Sequence, residues 1–130
     1  MKILVGYRGA NVGKDLLDLA IKHCKAFTGE VHLLTSLPGG NKTTGEVINE
    51  AKENLSWAAG YLGEHGVKHD THLMIVGRTP GEDLTTFAME EGCDEIILGI
   101  KSRSKVGKIL FGSTAQFVIL RASCPVVSVR

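Results

Sequence analysis

The segment from Gly99 to Thr114 concentrates the residue types that bind phosphate. It reads Gly99-Ile100-Lys101-Ser102-Arg103-Ser104-Lys105-Val106-Gly107-Lys108-Ile109-Leu110-Phe111-Gly112-Ser113-Thr114. Glycine at either end lets a ligand approach the backbone closely. A helix pattern opens after Gly112, and free N–H groups at a helix start point outward with a partial positive charge. The hydroxyls of Ser113 and Thr114 add donors, while Lys101, Arg103, Lys105 and Lys108 raise the local positive potential. Spacing alone leaves a plain alternative open. Gly99 and Gly112 would then serve turns, Ser113 would cap a helix, and the basic run would be a solvated face.

Other clusters carry less. Gly9-Ala10-Asn11-Val12-Gly13-Lys14-Asp15 is close to a Walker A loop, which needs four residues between its glycines and Ser or Thr after the Lys. Here three intervene and Asp15 follows. The segment reads better as a helix start, with Asn11 or a neighbour as cap and Asp15 favoured by the helix dipole. His65, His69 and His72 cluster with Asp70, but Gly66 reads as a helix end and His72 as a strand start. Helical spacing therefore does not gather them into a metal site, and they read as surface histidines. Trp57 and Tyr61, one turn apart, read as packing residues. Gly-x-Ser-x-Gly is absent, and no His or carboxylate is evident near the Gly99–Thr114 segment to activate a nucleophile or place water. The chain is not read as an enzyme.

The elements that must position these residues alternate along the chain. Apolar runs at Ile3 to Val5, Val31 to Leu37, His72 to Val76, Asp94 to Gly99 and Pro125 to Val129 have the length and β-branched content of buried parallel strands. Between them lie helical stripes, Leu17, Ala20, Ile21, Cys24 and Phe27 in the first, and Val47, Ala51, Leu55, Ala58 and Leu62 in the second. Thr43-x-x-Glu46 and Thr79-Pro80-Gly81-Glu82 read as capping boxes. A third helix is expected from Pro80 to Glu91 and a fourth from Ser113 to Arg121. Strand and helix in strict alternation predict an α/β fold: a five-stranded, mainly parallel, doubly wound sheet with helices on both faces and ligands at its carboxyl edge.

Composition removes several function classes. With 15 basic and 14 acidic residues the formal net charge is +1, too balanced for nucleic acid or an anionic membrane as partner. Cys24, Cys93 and Cys124 form no Cys-x-x-Cys pair and read as small buried hydrophobes in a reducing compartment. No signal peptide and no membrane-length apolar run is apparent. The expectation is one cytoplasmic domain spanning residues 1–130.

The Gly99–Thr114 segment resembles the nucleotide loop of the universal stress protein family, whose ATP-binding members carry Gly-x2-Gly-x9-Gly-(Ser/Thr). Gly99, the stretch Arg103 to Phe111, and Gly112-Ser113 fall in register with it. Ile3-Leu4-Val5, Val31-His32-Leu33-Leu34, Glu95-Ile96-Ile97-Leu98-Gly99 and Cys124-Pro125-Val126-Val127-Ser128-Val129 resemble further family elements, so the likeness runs along the whole chain. It implies a Rossmann-like fold and a stress-response regulatory protein that binds ATP or AMP, with any Mg2+ held mainly by the phosphates. By the same resemblance Gly6, Arg8 and Ser36 would wall the adenosine pocket, and Leu98 and Gly99 would face the base. Ser102, Arg103, Gly112, Ser113 and Thr114 would surround the phosphates. The sequence departs from the pattern twice. Ser102 stands at the second glycine, and Arg8 stands where ATP-binding members usually place an Asp, so it cannot accept the same hydrogen bonds. Two alternatives stay open: a dimeric interaction module without tight nucleotide binding, and a slow ATPase. The last strand, Pro125 to Arg130, is expected at a sheet edge, where its unpaired backbone groups invite a homodimer of the kind family members form.

Overall fold

The computed structural model describes residues 1–100 and 112–130. Strands β1 (Lys2–Gly6), β2 (Glu30–Ser36), β3 (Lys68–Met74), β4 (Glu95–Gly99) and β5 (Val126–Val129) alternate with helices α1 (Ala10–Phe27), α2 (Gly45–Glu64), α3 (Pro80–Glu91) and α4 (Ser113–Arg121). The strands form one parallel sheet in the order β3-β2-β1-β4-β5. From β1 the winding runs first through β2 to β3, then returns across to β4 and on to β5. This reversal puts the two crossover directions back to back between β1 and β4.

Each face of the sheet has its own core. Leu17, Ala20, Ile21 and Cys24 of α1 and Leu55, Ala58 and Leu62 of α2 pack with Ile3, Val5 and Leu33 on one side. Leu84 and Ala88 of α3 and Ala115 and Val118 of α4 pack with Leu4, Leu34, Ile96 and Leu98 on the other. The inner strands are covered on both faces, which is why their residues are continuously apolar rather than alternating. On the second face, α3 and α4 approach closely at Gly81, where a Cβ would lie 2.8 Å from the Phe117 ring.

Several boundaries differ from expectation, each for a local reason. β3 begins at Lys68 and ends before Ile75 and Val76, which are exposed. It is an edge strand, paired among the described residues with β2 alone, so it tolerates polar residues that no apolar search would find. His72 consequently lies within the strand, half-buried against His32 and Phe87, not at a strand start on the surface. The cap of α2 is Thr44, whose Oγ1 accepts from Val47 N–H; Thr43 Oγ1 instead accepts from Gly39 N–H in the preceding turn. Helix α3 carries the expected Thr79–Glu82 capping box with Pro80 in its first turn. Helix α1 starts at Ala10 behind Gly9, so Asn11 lies inside it and Asp15 falls beyond the first turn, where the dipole is weak. Phe27 is exposed because α1 ends there and Thr28 turns left-handed. Cys24 and Cys93 are buried, and Cys124 is half-buried. Among the described residues, no helix is long and apolar enough to cross a membrane.

Candidate functional site

β1 and β4 hand the chain to helices on opposite faces of the sheet. Crossovers that diverge in this way leave a crevice beyond the strand ends, where open α/β sheets take ligands. Here it is a cavity of ≈ 630 Å³. The turn from Gly6 to Gly9 follows β1 into it, Leu34 and Ser36 bring the end of β2, and Leu98, Gly99 and Ile100 bring the end of β4. α4 opens across it at Gly112, Ser113 and Thr114; Pro80 and Leu84 enter from α3, and Glu50 and Asn54 from α2.

The α4 end suits an anion. Gly112 is the N-cap, with φ −68° and ψ 163°, and among the described residues no side chain caps the first amides of the helix. Any residue adopts that conformation. A Cβ at Gly112 would meet no described atom within 4 Å. Neither backbone geometry nor packing among the described residues asks for glycine there. Its effect, among the described residues, is to leave the outward N–H groups of α4 bare toward the cavity.

The floor is apolar and tight. A Cβ on Gly6 would lie 3.2 Å from Leu84 and 3.3 Å from Leu98, so a side chain at Gly6 would push on both. Tyr7 is 1% exposed; its N–H donates to Leu34 O and its carbonyl accepts from Thr35 Oγ1. Its ring lies against Gly13, where a Cβ would come within 2.3 Å of Cε1. The glycine of the Walker-like segment therefore admits a tyrosine ring, not a phosphate, and Lys14 pairs with Asp18 along α1. The Tyr7 hydroxyl has no partner among the described residues, and burial pushes its pKa up.

The polar walls differ in freedom. Ser36 Oγ donates to the fully buried Asp83 Oδ2 at 2.5 Å, and Arg78 Nε lies 3.0 Å from Asp83 Oδ1. Arg8 is exposed on the cavity wall and forms no ion pair among the described residues. Among those residues no group of three His, Cys, Asp or Glu could hold a metal ion.

The cavity thus gathers Gly6, Arg8, Ser36, Leu98, Gly99, Gly112, Ser113 and Thr114 from the sequence reading. Ser102 and Arg103 lie outside the described residues. Tyr7, Glu50 and Asn54 were not anticipated. A signal for the last two was available. A helix leaving β2 begins at the carboxyl edge, and Glu50 and Asn54 each precede a buried position of the α2 stripe, Ala51 and Leu55.

Residues 1–130 match the profile of the Universal stress protein family. The chain belongs to that family. A universal stress protein from Archaeoglobus fulgidus superposes with a TM-score of 0.92 at 37% identity, covering 100% of this chain and 98% of that one. A structure of the universal stress protein from Archaeoglobus fulgidus in complex with dAMP gives 0.86 at 34% identity over the same shares. A universal stress protein from Methanocaldococcus jannaschii is 29% identical over 99% of this chain and 81% of its own length. Both the parallel five-stranded sheet and the helices on either face are those of the family's solved structures.

Proposed function

We propose that this universal stress protein binds an adenine nucleotide, ATP or AMP, in the cavity between β1 and β4 and acts as a regulatory protein whose partners respond to occupancy. The observation that carries the reading is Gly112, an N-cap glycine with an ordinary extended conformation, open space around its missing Cβ, and a cavity in front of it. Phosphate accepts from the amides that such a residue leaves bare. The relative solved with dAMP, at 34% identity, supports an adenine nucleotide as the ligand class. Binding without chemistry fits the described lining, which includes one carboxylate, Glu50, and no histidine. Any Mg2+ would then be held mainly by the phosphates.

Gly112→Val tests the reading. The β-branched side chain fits the N-cap conformation and meets no described atom, so the fold should persist while the approach to the amides closes. Isothermal titration should find ATP and AMP affinity lowered at least about a hundredfold, the loss of two or three charge-assisted hydrogen bonds. Unchanged affinity in the folded variant removes this site.

A further inference from the structure

The geometry points to Glu50 and Asn54 of α2 as the residues that read the base, with Glu50 selecting a 6-amino purine over a 6-oxo purine. The inference rests on the nucleotide reading above and assigns its specificity to a helix at the opposite side of the cavity from the phosphate end.

The cavity has a chemical direction. α4 packs on one face of the sheet and α2 on the other, so a ligand spanning the crevice meets bare amides at one end and α2 at the other. A phosphate cannot lie beside the Glu50 carboxylate without like-charge repulsion, so the anionic end belongs at α4 and the neutral base at α2. Glu50 and Asn54 are one helical turn apart and both line the cavity, so they present a carboxylate and a carboxamide side by side. Neither has a hydrogen-bond or ion-pair partner among the described residues, and Arg8, the other charged group of the described lining, pairs with neither. Asn54 is held close to the β1–α1 turn: its Nδ2 lies 3.2 Å from where a Gly9 Cβ would be, and Gly9 has φ 141°, a conformation that favours glycine.

The pair has the complement of adenine. An ionised carboxylate only accepts, and the exocyclic amine of a 6-amino purine donates. The carboxamide offers an N–H to an adjacent ring nitrogen. A 6-oxo purine places a carbonyl oxygen before the carboxylate and a ring N–H before the carboxamide. The carboxamide can turn its own oxygen to that N–H, so the discrimination falls on Glu50 and Asn54 anchors either base. Sites that hydrogen-bond a ligand group reject analogues lacking it strongly, because their own polar groups are left unpaired. The pair also supplies an acceptor to a nucleoside wall where Arg8 has none.

Titrations of the parent, Glu50→Gln and Asn54→Ala with AMP, IMP and inorganic pyrophosphate, all in EDTA so that no metal bridges the carboxylate, test this. The parent should prefer AMP over IMP by at least about tenfold. Glu50→Gln, whose amide can also donate to a 6-oxo group, should bring that ratio to within about threefold of unity, and Asn54→Ala should weaken AMP and IMP alike. Pyrophosphate affinity should not fall in either variant, since its site is at α4 and Glu50→Gln only removes a like charge from the cavity. An AMP-to-IMP ratio that survives Glu50→Gln overturns the inference, and so does pyrophosphate affinity falling in parallel with AMP. A parent that binds pyrophosphate but shows no preference between AMP and IMP overturns it while leaving the phosphate site standing. A parent that binds none of the three overturns the nucleotide reading, and this inference with it.

Discussion

Ser36 spends its only proton on Asp83: Oγ donates to Oδ2 at 2.5 Å, from the end of β2 to the first turn of α3. Ser36 therefore faces the cavity as an acceptor alone, and its bond fastens α3 to the sheet at the cavity rim. Asp83 is fully buried, with Arg78 on its other oxygen. Removing the carboxylate leaves Ser36 and Arg78 without it. Asp83→Ala should cost about 2 kcal/mol, as hydrogen bonds to a charged group do, and Ser36→Ala about 1 kcal/mol in urea denaturation. Because both remove the same hydrogen bond, the double variant should lose about 1 kcal/mol less than the sum. Strict additivity would show that the bond contributes nothing.

Gly13 and Gly60 are both helical glycines, and the same substitution should move stability in opposite directions. A methyl at Gly13 would meet the Tyr7 ring at 2.3 Å, while one at Gly60 would meet nothing within 4 Å. Overpacking a rigid ring costs about 1–3 kcal/mol, which outweighs the helix-propensity gain of up to about 1 kcal/mol. Gly60→Ala should keep that gain and raise the denaturation midpoint; Gly13→Ala should lower it. Equal shifts in the two variants would mean that Tyr7 moves aside freely.

How much of this was legible in the sequence depends on what each residue answers to. The inner strands and the α2 stripe were readable because Leu33, Ile96 and Leu62 have one environment, the core, and periodicity reports it. The Thr79–Glu82 box was readable because both halves of its hydrogen bonding lie within one turn. β3 was misplaced because an edge strand answers to its partner β2, through a register that apolar content does not encode. Gly13 was readable as part of a helix start, but its neighbour was not: the Tyr7 ring reaches it only because α1 folds back on β1. Glu50 was passed over because a lone helical glutamate is chemically silent until the topology brings it to the crevice.

His72 should make the protein less stable in mild acid. It sits beside His32, with Nε2 3.0 Å from Nδ1, and under Phe87, with ring centroids 4.6 Å apart. Burial lowers its pKa, and the neighbouring His32 adds to this, against weaker opposition from Asp70 and Glu91. The folded protein thus takes the proton less readily than the unfolded chain. Stability should be level above about pH 6.5, the unfolded value. It should fall as pH drops from there to the lower folded value, then level again. His72→Gln keeps hydrogen-bonding groups without the titration, so thermal or urea midpoints measured from pH 8 to pH 5 should decline less in that variant. An equal decline would place the acid sensitivity elsewhere.

The expected homodimer through β5 can be tested at a single residue, and the register says which. β5 pairs with β4 along one side, and among the described residues nothing pairs with its other side. Ile96 N–H donates to Pro125 O at 3.0 Å and Ile100 N–H to Val129 O at 2.8 Å. Backbone groups alternate in direction along a strand, so Pro125, Val127 and Val129 point inward to β4, while Val126 and Ser128 point outward. A twofold partner running antiparallel would bond to those outward groups. Proline at Val127 would damage the protomer's own ladder and prove nothing about association. Ser128 is exposed and its N–H faces away from β4, so Ser128→Pro removes a donor only the partner would use. Twofold symmetry deletes that bond twice, at about 1 kcal/mol each, which weakens the dimer by about thirtyfold. Light scattering across a concentration series should find a dimeric parent and a Ser128→Pro variant shifted toward monomer, with the urea midpoint of the monomer little changed. A parent that is monomeric at high micromolar concentration, or a variant that associates as tightly as the parent, rules out pairing through β5.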